Sequence, residues 1–289
     1  MTRALVVEGG GMRGAYAAGA LVGLHSTQPP FDATYASSSG ACSAAYLAAE
    51  QPDGVSIWRD HLHGQRLLRL ANLARGRPYL DLDYLIDEVF GRRVPLDLVR
   101  LRAARAPLWV TLTRASDGGV DYRDLRYERD PLQVLRATAA LPIAYPKPVM
   151  VDGKPYVDGG MGDPIPVARA LADGADDVTV VLTKPFGYKR APAKPAFTWL
   201  ASLPYPGTAR SFATLHERYN AALSLIHAPP EGVTMRIVAP SPDLHLTRLM
   251  TAGRHLRRAL AHGLTDGSSP RHFSTESGSR RHPLAASHP

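Results

Sequence analysis

The chain has 289 residues, a formal charge of +8 from 34 Lys and Arg against 26 Asp and Glu, 45% hydrophobic residues and one cysteine. That length suits one large domain or two small ones, with ample chain for a core, and the composition excludes wholesale disorder. Cys42, being single, excludes an internal disulfide and a multi-cysteine metal site, which favours a reducing compartment. The longest apolar stretches, near residues 15–24 and 41–49, fall short of the roughly 20 residues of a spanning helix. The apolar run before Glu8 is shorter than the about 7–15 residues of a secretory signal. The expectation is a cytoplasmic protein, peripheral to the inner face of the membrane at most.

In chain order, residues 4–7 read as a short buried strand ending in a Gly cluster, and residues 14–25 as a small-residue helix. Residues 33–37 read as a second strand and 40–50 as an Ala-rich helix, so the chain opens with two strand–turn–helix units. That alternation predicts an α/β protein with a mainly parallel sheet. Residues 55–105 read as mostly helical (55–63, 82–90 and 96–104), interrupted by Pro78 and Gly91. A strand over 107–114 has a hairpin partner at 119–122, and a helix over 131–140 follows. Two strands over 149–157 flank the turn pair Asp152-Gly153. A helix over 164–172, a strand over 177–183, helix over 208–226, a strand over 233–238 and a helix over 246–262 complete the pattern. Residues 184–206, rich in Pro and Lys, read as an irregular excursion. The organisation expected is a single domain over 1–264, an insertion at about 54–105 and a disordered tail over 265–289.

The insertion is where the charge concentrates. It carries ten arginines (Arg59, Arg66, Arg69, Arg75, Arg77, Arg92, Arg93, Arg100, Arg102 and Arg105) against six acids, about half of the net charge. A basic face suits anionic lipid, nucleic acid or plain solvation. No nucleic-acid-binding motif accompanies it, so nucleic acid is not an expected partner.

Three segments carry chemistry. Gly9, Gly10, Gly11, Met12, Arg13 and Gly14 join the first strand to the first helix, where backbone N–H groups and a helix start favour negative charge. Read as a dinucleotide fingerprint, this loop requires an acid at the end of the second strand. Asp32 precedes that strand, whose end is Ser37-Ser38-Ser39-Gly40, so the loop reads better as an oxyanion hole. The serine turn fits a nucleophile elbow, which demands small residues two positions either side of the nucleophile. Ser38, between Ala36 and Gly40, meets the demand; Ser37 would put Tyr35 where there is no room, and Ser39 fits less well. A base must come from elsewhere. None of the 11 histidines lies in a turn that looks built for catalysis, whereas Asp158, followed by Gly159 and Gly160, ends a strand and permits close backbone approach. Cys42 reads as packing within the helix.

The Gly-rich loop, the elbow and the Asp-Gly-Gly motif, in this order, resemble the patatin-like phospholipase family. The flanking segments Ala137-Thr138-Ala139-Ala140-Leu141-Pro142 and Asp163-Pro164-Ile165-Pro166 are also similar, and the likeness covers roughly residues 4–184. It implies a three-layer α/β/α fold and a Ser–Asp dyad without histidine. In that scheme Ser38 attacks an ester carbonyl, Asp158 takes the proton, and the amides of Gly10, Gly11 and Met12 hold the oxyanion. Arg13 could point into the site and support negative charge. No cofactor and no metal are implied; the substrate would be a lipid or other ester, with peripheral contact to an anionic membrane through the Arg59–Arg105 region. Oligomeric state is left open. The elbow opens on Ala36 where the family usually has Gly. That departure, with the basic insertion, motivates an alternative: a catalytically silent scaffold binding lipid or a protein. The two readings separate on whether Ser38 and Asp158 lie within about 3 Å of each other.

Overall fold

The structure is a computed structural model that describes residues 1–274. Its strands are β1 (Arg3–Val7), β2 (Ala33–Ala36), β3 (Leu108–Arg114), β4 (Val120–Asp124), β5 (Val149–Val151), β6 (Lys154–Val157), β7 (Asp177–Val181), β8 (Thr234–Val238) and β9 (Arg271–Ser274). They form one sheet in the order β5-β6-β3-β2-β1-β7-β8-β9, with β4 also paired to β3. The central run β3-β2-β1-β7-β8 is parallel, while β4, β5, β6 and β9 join antiparallel. The mainly parallel α/β class read from the sequence is therefore the class observed.

Alternation along β1 builds both cores. Leu5 and Val7 face a large cluster with helices α1 (Gly14–Thr27) and α2 (Ser38–Ala48), and Ala4 and Val6 face a second with Ile165, Val167, Tyr219 and Ile226. Helices thus cover both faces of the sheet. The ends of β1 and β2 meet side by side, Val7 against Ala36, so the loops that follow them emerge together.

Several boundaries differ from the sequence reading. The elbow helix starts at Ser38, two positions before the expected residue 40. The helix expected over 164–172 starts at Val167, after Pro164 and Pro166. The expected excursion at 184–206 contains a helix at Pro195–Ser202. The insertion is less helical than expected: Ile57–Asp60, Leu70–Leu73 and Leu98–Arg102 are short, and Tyr84–Arg93 is a wide π-type helix. The helix expected over 246–262 runs instead from Gly253 to Ser268, leaving residues 246–252 as a non-helical strap. Residues 265–268, assigned above to a disordered tail, complete that helix, and Arg271–Ser274 pair with β8. The rest of the expected tail, 275–289, lies outside the described residues. No helix among the described residues is long and apolar enough to cross a membrane.

The C-terminal helix is held by backbone proximity. A Cβ on Gly263 would lie 2.0 Å from the Tyr16 carbonyl oxygen, and one on Gly19 would lie 2.0 Å from that of Leu260. Gly23 and Gly267 make the same kind of approach, so glycines on each helix let the two backbones touch. Helix propensity alone predicts that Gly263→Ala stabilises by about 1 kcal/mol. The contact predicts the opposite sign: urea unfolding should show a loss of about 2 kcal/mol or more, because the helices must separate to admit the methyl.

Candidate active site

Ser38 occupies the turn from β2 into α2 with φ of +50°, a left-handed conformation that costs a non-glycine residue energy. It is held there from outside the turn: its N–H donates to Thr138 Oγ1 at 2.8 Å. Gly40 keeps the helix start against the first strand, since a Cβ there would come within 2.8 Å of the Glu8 carbonyl oxygen. Ala36 is fully buried and its methyl joins the larger core cluster, so the departure at this position is absorbed by packing. Neighbouring serines take other places. Ser37 Oγ is buried with no partner among the described residues, and Ser39 Oγ accepts the Gly10 N–H at 2.9 Å.

Asp158 arrives from the end of β6, 120 positions along the chain, and its Oδ2 accepts the Ser38 hydroxyl at 2.8 Å. Its Oδ1 accepts the Gly160 N–H at 2.8 Å, which aims the other oxygen at the serine. Thr113 Oγ1 on β3 donates to the Asp158 carbonyl at 2.8 Å and accepts the Gly162 N–H at 2.9 Å, fastening the loop from below. Gly159 fits only without a side chain, as a Cβ would lie 2.0 Å from the Thr111 carbonyl oxygen. Burial pushes the Asp158 carboxyl up to about 6, opposed by the bonds from Ser38 and Gly160 and by the charge of Arg248. Asp152, the other Asp-Gly, sits in an exposed hairpin turn with φ of +48° and pairs with Arg123, apart from this site.

The Gly-rich loop lies against the elbow. Gly9 N–H donates to the Pro164 carbonyl at 3.2 Å, Gly10 N–H to Ser39, and Met12 N–H to the Arg248 carbonyl of the strap at 3.1 Å. Of the three amides expected to face an oxyanion, those of Gly10 and Met12 are thus engaged within the protein. Gly11, with φ of +58°, keeps an N–H with no acceptor among the described residues. Gly14 opens α1. Arg13 is neither a surface nor a sheet-edge residue: it is buried, 3.7 Å from Glu8 Oε1, and its Nε donates to Thr183 Oγ1 at 3.2 Å. Glu8 also accepts from the Thr183 N–H at 2.5 Å and the Tyr219 hydroxyl at 3.1 Å, locking the ends of β1 and β7 together.

These groups open into a cavity of about 270 Å³. Ser38, Asp158 and Gly9–Met12 lie at one end; the walls are Ile57, Trp58, Leu67, Leu80, Leu82 and Leu85 from the insertion, with Leu141 and Leu215. The lining holds no histidine among the described residues. Cys42 lines it too, and burial pushes its thiol up to about 12, so it is inert packing at neutral pH. The insertion, read from its arginines as a basic face, therefore turns an apolar face inward. Outside, Arg59 pairs with Asp60, Arg69 with Asp81, Arg92 with Glu88 and Arg100 with Asp97. Sequence reasoning missed Thr113, Thr138, Thr183 and the strap. Thr138 alone had a signal, lying in one of the segments flanking the motifs.

The family model for patatin-like phospholipase matches residues 5–171, and a second, described as a domain of unknown function (DUF6363), matches 205–270. The chain is 28% identical over 249 residues to the uncharacterized protein YjjU of Escherichia coli (strain K12), covering 84% of this chain and 69% of that one. A crystal structure of VipD from Legionella pneumophila is similar with a TM-score of 0.47 and 14% identity, over 94% of this chain and 68% of the other. The match to the first family spans more than half of the chain and includes the Gly-rich loop, the elbow and the Asp-Gly-Gly motif: the protein belongs to the patatin-like phospholipase family.

Proposed function

We propose that the protein is a serine acyl hydrolase that cleaves carboxylic esters of lipids through Ser38 and Asp158. The observation that carries this reading is the 2.8 Å hydrogen bond from Ser38 to a buried Asp158 at the end of an apolar cavity. Ser38 Oγ attacks the ester carbonyl carbon while its proton passes to Asp158 Oδ2. The tetrahedral oxyanion lies beside the Gly-rich loop, where the free Gly11 amide meets it and the Gly10 amide joins by exchanging Ser39 for the oxyanion. Collapse breaks the C–O bond of the ester, and the departing alcohol takes its proton from Asp158. Water, giving a proton to Asp158, then attacks the acyl carbon, and Asp158 returns that proton to the departing Ser38 Oγ, so that the acyl-enzyme yields free Ser38 and a carboxylic acid. An ordinary carboxylate is a weak base for a hydroxyl; burial of Asp158 raises its basicity toward neutrality. The leucine-lined cavity suits an acyl chain. Exposed Leu249, also in that lining, and exposed Ile143 beside it suit contact with lipid at the mouth. The close Ser38–Asp158 approach favours this reading over a silent scaffold.

Ser38→Ala should abolish labelling by a fluorophosphonate and lower kcat on p-nitrophenyl butyrate by more than about 10³-fold. Labelling of the variant at the wild-type rate would remove Ser38 from the mechanism.

The profile of kcat/KM against pH should rise through about 6 and then level, as Asp158 must be ionised to accept the proton. Its folded value lies above the unfolded 3.8, so the associated stability is intact below that pH and is lost as pH rises through about 6. Asp158→Asn, which keeps the shape without the buried charge, should remove activity yet raise unfolding stability at pH 8 by up to about 3 kcal/mol. A variant less stable than wild type at that pH would contradict the buried-charge account.

Gly11→Ala places a methyl on a left-handed residue 3.2 Å from the Arg248 carbonyl oxygen. It should cost kcat about 10²-fold or more through displacement of the oxyanion amide, with fluorophosphonate labelling slowed in parallel.

A further inference from the structure

A second cleft, of about 380 Å³, adjoins the cavity that holds Ser38; Leu141, Met161, Leu215 and Arg248 line both. Its character is different. Arg13, Lys184, Arg190 and Arg248 all line it, and no Asp or Glu does. Lys184 and Arg190 are half-buried, and neither they nor Arg248 has an ion-pair partner among the described residues. Aromatic faces carry two of them instead: Lys184 Nζ lies 4.5 Å from the Tyr188 ring centroid and Arg190 Cζ 5.7 Å from that of Tyr219. The nearby acid, Glu8, is fully buried and already committed to Arg13, Thr183 and Tyr219.

Four cations gathered around one acid repel one another. Burial lowers the Lys184 ammonium from its usual range, and the charges of Arg13, Arg248 and Arg190 lower it further. Burial likewise lowers Arg190, followed by the charge of Arg248. Elsewhere in this chain some arginines are paired with carboxylates, often within the same turn of chain, and unpaired ones such as Arg66, Arg75, Arg77 and Arg105 are exposed to solvent. Beside the site Lys184 and Arg190 are half-buried and still unpaired among the described residues, which is the arrangement of a subsite that an incoming anion completes.

On the reading that Ser38 and Asp158 cleave lipid esters, we propose that this cleft binds an anionic phosphoryl group carried by the same molecule as the scissile ester. Lys184, Arg190 and Arg248 supply the charge. A point-like ammonium and forked guanidiniums approaching from different walls match the oxygens of a tetrahedral phosphate. A glycerophospholipid carries ester and phosphate on one glycerol backbone, so its acyl chain enters the leucine-lined cavity while its phosphate faces the cations. No carboxylate lines the cleft to receive an ammonium, so choline and ethanolamine head groups find no countercharge beside Lys184, Arg190 and Arg248. The substrates selected are phosphatidic acid and phosphatidylglycerol, whose head groups are anionic and contain no amine.

The test compares dibutyryl phosphatidic acid, phosphatidylglycerol, phosphatidylcholine and diacylglycerol, all below their aggregation limits so that no lipid surface contributes. Wild-type kcat/KM on the two anionic lipids should exceed that on the other two by about tenfold or more, mainly through KM. The double variant Lys184→Ala, Arg190→Ala should shrink this ratio to within about threefold, and Arg190→Lys should retain most of it. Calorimetric titration of Ser38→Ala with dibutyryl phosphatidic acid and dibutyryl phosphatidylcholine reads the preference without turnover, and does so on a chain that keeps every cation. Equal rates on all four head groups, with p-nitrophenyl butyrate still hydrolysed, would overturn the subsite and leave the hydrolase standing. Failure to cleave any ester would overturn the hydrolase, and the titration would still decide the subsite: no preference for phosphatidic acid would overturn it.

Discussion

The hydrogen bond between Ser38 and Asp158 joins segments 120 positions apart, and it forms only because β2 and β6 both end beside β3. Neither side chain is free to search for the other. Ser38 is fixed by a left-handed turn whose cost is offset by the Thr138 bond, and Asp158 by the Gly160 amide and the Thr113 hydroxyl. Threonines at strand and helix ends thus act as pegs: each spends a hydroxyl on backbone that would otherwise let the bond lengthen. The distance between the two side chains is a property of the sheet, transmitted through three residues that take no part in the proposed chemistry.

Dryness is the second constraint. A carboxylate bonded to a hydroxyl and an amide would sit near its ordinary range if water reached it; burial lifts it. The walls that keep water out come largely from the insertion, through Trp58, Leu67, Leu80, Leu82 and Leu85. The same segment supplies the arginines on the outside. An amphipathic insertion of this kind hides its function from a charge count, since the residues facing solvent are the conspicuous ones and those facing the cavity look like ordinary core.

That asymmetry explains what could be read from the sequence. The alternation of short strands with Gly and Ser turns specified the parallel α/β core, because strand period, turn chemistry and small-residue helices all agreed locally. Ser38 could be chosen over Ser37 and Ser39 by size alone, since the elbow excludes bulk, and the structure puts the left-handed turn at that residue. Asp158 followed from its glycines. The failures share a cause: they depend on partners distant in sequence. The reading ended the last helix at residue 262 and the domain at 264, short of Gly263 and Gly267 in the helix; their meaning appears only when α1 presents Gly19 and Gly23 opposite them. The strap over 246–252 followed an apolar pattern that suited a helix, yet the Arg248 carbonyl is spent on Met12. Arg13 could not be placed without knowing that Glu8, five positions earlier, turns inward to meet it.

The net charge of +8 is a poor guide to where electrostatics act. An arginine beside an aspartate on the surface contributes little to stability and little to recognition, because solvent and its partner have already answered its charge. By that measure the insertion's paired arginines, Arg59, Arg69, Arg92 and Arg100, are largely silent. The informative cations are those the fold isolates from carboxylates at some electrostatic cost. Lys184, Arg190 and Arg248 are drawn from the chain after β7 and from the strap, two segments that the short-range pattern described only as irregular or helical. They meet Arg13 because β1 and β7 are adjacent and parallel, so the loops after both strands open on the same side. The strand order that brings Ser38 beside the Gly-rich loop also brings this positive charge beside Ser38. A single topological fact, the placement of β1 between β2 and β7, therefore underlies both the placement of Ser38 and the field around it.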